Sequence, residues 1–206
     1  GPPTGGTKGT AVDHIGLQVK ELRPLVEKLK AAGVPIITDE ALSSRKVDGD
    51  IAYLESQDAH VAFVLGPDEI KVELTENPAL DAPVANHHIH FYTDQVAEMK
   101  AWYVKLFSAV PGRRGGMESA ELPGVNLTFS AARGPVVGTQ GRVLDHIGFE
   151  VEDLQPFCEK LESMGIEFDT PYFTRPEVDV ALAFFTDPWG TYIEIHEGLD
   201  RMLAGR

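Results

Sequence analysis

The stretch Asp13–Ile36, DHIGLQVKELRPLVEKLKAAGVPI, returns as Asp145–Phe168, DHIGFEVEDLQPFCEKLESMGIEF. The two align without a gap, with Asp, His, Ile, Gly, Val, Leu, Pro, Glu, Lys, Leu and Gly recurring in register. A repeat of this kind decides the fold, because each copy is one supersecondary unit that cannot bury its apolar face alone. A weaker copy begins at His87, HHIHFYTDQVAEMKAWYVKLFSAVPG, and aligning on its short apolar strand sets His88 opposite His14 and His146.

Each copy opens on a strand (Ile15–Val19, Ile89–Tyr92, Ile147–Val151), passes a polar turn and continues as an amphipathic helix. In the first copy Leu22, Leu25, Val26 and Leu29 share one helix face, and Pro24 sits where an N-terminal proline is tolerated. Gly33 and Gly165 fall where a left-handed helix terminator belongs. Strand-like segments complete each unit: Ala59–Leu65 and Ile70–Leu74, then Met117–Leu122 and Val125–Phe129, then Val180–Phe185 and Thr191–Ile195. The chain therefore reads as α+β, with a linker-like stretch over 1–12 and three βαβββ modules over 13–80, 86–135 and 143–198. Gly6-Thr7-Lys8-Gly9 before the first module matches Gly138-Thr139-Gln140-Gly141 before the third, which suggests a four-module parent whose first module is absent.

With 206 residues, 43% of them hydrophobic, the chain can bury one good core or two modest ones. A formal charge of −14 repels phosphate backbones and anionic lipid, so neither a nucleic acid nor a membrane is an expected partner. The lone Cys158 allows no intrachain disulfide and no cysteine metal cage. No apolar run approaches the ~18 residues of a membrane span, and residues 1–10 lack a signal-peptide stretch, so a cytoplasmic location is expected. Arg113-Arg114-Gly115-Gly116 lacks the lysine of a phosphate loop and reads as a turn.

The repeated Asp-His-Ile-Gly opening, joined to the ending Asp187-Pro188-Trp189-Gly190 with Glu194 beyond it, resembles the vicinal oxygen chelate superfamily. That superfamily includes glyoxalase I, methylmalonyl-CoA epimerase, bleomycin-resistance proteins and type I extradiol dioxygenases. The resemblance implies modules paired so that their curved mixed sheets form a cup around a metal, here expected of modules two and three within 86–198. Module one, unpaired in the chain, is then expected to find its partner in a homodimer, where His14 and Glu73 of two copies would meet. The resemblance also implies ligands from the first and last strands of the paired modules. Carried over position by position, these are His88, His146 and Glu194, with the unsuited Thr128 at the fourth place. Strand alternation puts His90 on the face of His88 as a candidate acid/base, and turns His87 to the other face.

Two histidines and a carboxylate suit Fe(II), which is favoured, as well as Zn(II), Mn(II), Ni(II) or Co(II). The implied substrate is a small molecule with vicinal oxygens. An Fe(II) dioxygenase activity ranks slightly ahead of a glyoxalase-like lyase, isomerase or epimerase, and a metal-free binder comes third. Against ring cleavage, Phe184 stands where the extradiol signature has tyrosine, and no histidine lies between Phe149 and Glu194.

Overall fold

A computed structural model describes residues 1–42 and 47–204. Module one comprises β1 (Val12–Val19), α1 (Leu22–Ala31), α2 (Thr38–Ala41), β2 (Val47–Asp48), β3 (Ile51–Leu54), β4 (Ala59–Leu65) and β5 (Lys71–Glu76). Module two is β6 (Val84–Thr93), α3 (Val96–Phe107), β7 (Val110–Arg114), β8 (Met117–Leu122) and β9 (Val125–Ala131). Module three is β10 (Ile147–Glu150), α4 (Leu154–Ser163), β11 (Thr170–Arg175), β12 (Val180–Thr186) and β13 (Tyr192–Glu197), followed by α5 (Leu199–Ala204). The α+β class and the repeated unit are those expected from sequence. No described helix is long and apolar enough to cross a membrane.

The repeat is carried into backbone detail. The helices α1 and α4 each open with an amide donated to a carboxylate at the end of the module's last strand, Leu22 to Glu76 and Leu154 to Glu197, both at 3.0 Å. That satisfies one of the orphan N–H groups at each helix start. Past the helices, Gly33 and Gly165 take φ of 81° and 87°, the left-handed termination expected of them.

Which modules pair differs from the expectation. The sheet order is β2-β3-β4-β5-β1-β6-β9-β8-β7, so modules one and two form one nine-stranded sheet, joined where β1 meets β6 antiparallel. Module three keeps a separate sheet of four, β10-β13-β12-β11, and among the described residues no ladder links it to module two. Modules two and three meet instead through their cores. The aromatic face of α3 is too wide for one sheet to cover: Trp102 lies 6.3 Å from Phe185 and Phe107 lies 4.6 Å from Phe149, centroid to centroid. The buried Tyr103 hydroxyl donates to Asp187 at 2.8 Å, tying α3 to the turn before β13.

Along the β1–β6 seam Ile15 faces Ile89, His14 faces His90 and Gly16 faces His88. The register slips once on each side of this centre, leaving Asp13 on β1 and His87 on β6 without a cross-strand mate. These are β-bulges, and a bulge re-aims the side chains around it.

Candidate metal centre

The bulges explain why each first-strand histidine is preceded by a polar residue. Asp13 turns back so that its carboxylate accepts from His14 Nδ1 at 2.7 Å. In module two His87 takes the same place, its Nδ1 3.2 Å from His88 Nδ1. Module three repeats the arrangement with Asp145, 2.8 Å from His146 Nδ1. Strict alternation aims His87 away from His88; the bulge brings it to the same side. The signal was present in sequence as the dipeptides Asp13-His14, His87-His88 and Asp145-His146.

With Nδ1 engaged, His14 and His88 both point Nε2 into the cup. His14 Nε2 lies 3.2 Å from a Glu73 carboxylate oxygen, 3.4 Å from His88 Nε2 and 3.2 Å from His90 Nδ1. His88 Nε2 is 3.5 Å from the same Glu73 oxygen. Metal–nitrogen bonds of about 2.0–2.1 Å in tetrahedral array set ligand–ligand edges of about 3.3–3.4 Å, so the donor spacing fits a divalent ion. Among the described residues this is the one His/Cys/Asp/Glu group whose donor atoms all lie within 4.8 Å of one another.

The surroundings favour the protonation states a metal requires, neutral imidazole and ionised carboxylate. Burial pushes His88 below its ordinary pKa, and Glu73 only partly offsets it. Burial and then the neighbouring His14 and His88 hold His90 well below the ordinary value. For Glu73 burial acts upward, but hydrogen bonds with His14 and His88 outweigh it and keep the carboxyl well below its usual range. His90 Nε2 pairs with the Ser130 hydroxyl at 2.9 Å, which fixes its ring.

Beside the cluster opens a cavity of about 690 Å³ lined by His87, Arg113, Arg114, Gln57 and Asn126, among others. Arg114 bridges cavity and cluster. One guanidinium nitrogen reaches Glu73 at 3.3 Å, while Nη1 is buried with no hydrogen-bond partner. The pair of arginines read as a turn closes β7, and Gly115 and Gly116, both with positive φ, make the turn itself.

Of the expected ligands, only His88 lies in this cluster. The structure brings it together with His14, Glu73 and His90, and leaves His146 and Glu194 on the separate sheet, 3.3 Å from each other. The reason is the pairing: β1, not β10, adjoins β6. His90, expected as an acid/base, is one of the four clustered donors. His196, two residues beyond Glu194 on β13, is 7% exposed and lies 3.0 Å from Glu150.

Residues 107–195 match the model of the Glyoxalase/Bleomycin resistance protein/Dioxygenase superfamily. No curated protein matches the sequence. Among solved structures, the V278E mutant of glyoxalase I from Zea mays superposes with a TM-score of 0.71 at 15% identity, covering 96% of this chain and 71% of that one. A protein from Bacillus subtilis provisionally named a dioxygenase superposes with a TM-score of 0.62 at 15% identity, over 92% of this chain and 62% of that one. The superfamily resemblance read from the repeats is thus borne out by a family match and by shared fold.

Proposed function

We propose that the protein is a metal-dependent enzyme that takes a small anionic substrate with two neighbouring oxygens and carries out a redox-neutral proton transfer, in the manner of a lyase or isomerase. The observation that carries this reading is the convergence of four buried donors, His14, Glu73, His88 and His90, beside a cavity lined by the positively charged Arg114. When bound there, a divalent ion supplies a Lewis acid for the paired oxygens. Three imidazoles and a carboxylate suit Zn(II), Ni(II), Co(II), Mn(II) or Fe(II). Four protein donors, rather than the two-histidine, one-carboxylate set that Fe(II) oxygenases use, favour redox-neutral chemistry over O₂ chemistry.

The chain's own residues supply the rest. Arg114, in the cavity wall, supplies a positive charge for the substrate, and its Nη2 holds Glu73 in place. His87 lines the cavity with a ring that burial and then Arg114 push down to a pKa of about 4, so it is neutral at pH 7 and its Nδ1 accepts from His88 Nδ1. A second reading rests on the contacts of 3.2, 3.4 and 3.5 Å that join His14, His88 and Glu73 to one another. These three alone form a two-histidine, one-carboxylate set of the kind Fe(II) oxygenases use.

The test is metal analysis followed by a reaction screen. One metal per chain, lost in His14→Ala and Glu73→Ala but retained in His146→Ala, supports the cup as the centre. Exchange of a substrate C–H with deuterated solvent, without O₂ uptake, supports the lyase or isomerase. O₂ uptake with Fe(II) selects the second reading, and no metal in the cup under any loading refutes both.

A further inference from the structure

Beside the metal cluster, the cup face of the nine-stranded sheet carries a second row of side chains. Residues two apart along a strand share a face. On β5 Thr75 therefore follows Glu73, on β1 Gln18 follows Gly16, and the ladder sets Gln18 opposite Thr75. Across the seam Asn126 of β9 stands opposite His88, and Glu121 of β8 opposite Asn126. The two rows touch: Thr75 Oγ1 donates to Glu73 at 3.2 Å, and His87 Nδ1 lies 3.2 Å from His88 Nδ1. The repeat does not impose this row, because module three holds Glu150 and His196, 3.0 Å apart, in the places of Gln18 and Thr75.

This row lines the cavity of about 690 Å³ beside the cluster. Small-molecule sites of that size are mostly apolar. Here Ala59, Leu122 and Val125 are the only apolar side chains among the described lining residues, against the five amides of Gln18, Gln57, Asn77, Asn86 and Asn126. The hydrogen bonds within the row leave capacity unspent. Gln18 Oε1 accepts from Asn77 at 3.0 Å, which leaves the Gln18 NH₂ to donate. Asn126 donates one N–H to Glu121 Oε1, and that bond leaves the second N–H and the second carboxylate oxygen. An apolar ligand would strip water from these groups and return no hydrogen bond, at a cost for each. Adjacent hydroxyls, which both donate and accept, replace that water group for group. The positive charge has one place. Arg113 turns to Glu118 at 3.3 Å and to the Gly116 carbonyl at 2.6 Å, whereas Arg114 stays at the cluster end beside Glu73.

We propose, resting on the function proposed above, that the substrate is a polyhydroxylated carboxylic acid of the sugar-acid class. Its carboxylate and the neighbouring oxygen take the cluster end of the cavity, where Arg114 stands, and its remaining hydroxyls run along Gln18, Asn126 and Glu121. The row then sorts substrates by their distal hydroxyls. An acid with the same head and an apolar tail leaves the wall unpaired and is rejected, because a site built to hydrogen-bond a hydroxyl discriminates strongly against the analogue that lacks it. A catechol, with two hydroxyls and a bare ring edge, falls on the rejected side.

The test titrates the full chain, loaded with Zn(II), with D-gluconate, D-galactonate and 2-hydroxyhexanoate in a calorimeter. The probes share a six-carbon chain and a 2-hydroxycarboxylate head, and 2-hydroxyhexanoate lacks every further hydroxyl. At least one sugar acid should bind at least about tenfold more tightly than 2-hydroxyhexanoate. Gln18→Leu should shrink that ratio while Zn(II) uptake and 2-hydroxyhexanoate affinity hold, which also shows that the variant folds. Gln57→Leu, in the turn between β3 and β4, takes its place if Gln18→Leu binds no Zn(II). A ratio near one for both sugar acids, or a ratio unchanged in the variant that holds Zn(II), overturns the proposal and leaves the proposed function untouched. A sugar-acid preference that persists in His14→Ala and Glu73→Ala without bound metal would count against the proposed function and uphold the specificity of this cavity.

Discussion

Replacing Asp13 by asparagine tests the cup without touching a ligand. The carboxylate is 12% exposed and one oxygen, Oδ1, receives both His14 Nδ1 at 2.7 Å and Lys71 Nζ at 2.5 Å. Burial acts to raise its pKa, but His14 and Lys71 outweigh that and the group is held below its ordinary value. Asparagine keeps the shape and one acceptor, and removes the charge that polarises the imidazole toward its metal-facing nitrogen. Loss of such a partner typically weakens metal binding about 10–100-fold, or about 1.4–2.7 kcal/mol. Weakening the charge-assisted bonds should also lower the stability of the metal-free chain by about 1–2 kcal/mol. Competition with a chromophoric chelator at fixed pH measures the first quantity and urea unfolding the second. Asp145→Asn is the matched control, since Asp145 stands at the same place in the repeat but on the other sheet. An unchanged affinity for the cup ion in Asp13→Asn, or an equal loss of it in Asp145→Asn, would refute the assignment of the cup to modules one and two.

Three further outcomes are expected. Gly16→Ala places a Cβ 2.0 Å from His88 Cε1, so the ring must move; the cup ion should bind at least tenfold more weakly, and the thermal midpoint should fall by the equivalent of about 1–3 kcal/mol. In metal-free protein His146 should titrate near 9, raised first by its contact with Glu194, and Glu194 near 2; NMR titration should show His146 falling toward its ordinary 6.5 in Glu194→Gln. The sign follows: the raised His146 contributes stability below pH 6.5 that is lost as pH rises through about 9, and the depressed Glu194 contributes stability above pH 4.5 that is lost as pH falls toward 2. Finally, Tyr103→Phe removes a 2.8 Å hydrogen bond from the 4%-exposed Asp187 and should cost about 1–3 kcal/mol in urea unfolding, with the cup ion unaffected.

Much of the fold was legible because the signals were local. The strands Ala59–Leu65 and Met117–Leu122 lie where their apolar patterns put them, and both terminator glycines do their expected work. Segments without an apolar pattern escaped notice, such as β7 with Pro111, Gly112 and two arginines, and β11 with one proline and one arginine. Arg114 was therefore placed in a turn, although it reaches the cluster from the end of a strand. His87 was aimed the wrong way because a period of two assumes an unbroken ladder, and the ladder breaks beside it.

The choice of partner module is a different kind of information. In every module the first strand exposes the same edge, with a histidine, an isoleucine and a small or second-histidine position, so side-chain pattern alone cannot say which edges meet. The connections can. Residues 77–83 between β5 and β6 are few, and neighbouring elements in sequence tend to be neighbours in space, whereas residues 132–146 between β9 and β10 are enough to carry the chain to another sheet. The broad aromatic face of α3 then binds module three through its core rather than through its edge. That arrangement leaves His146 and Glu194 3.3 Å apart on the smaller sheet and, among the described residues, the outer edge of β10 without a strand partner.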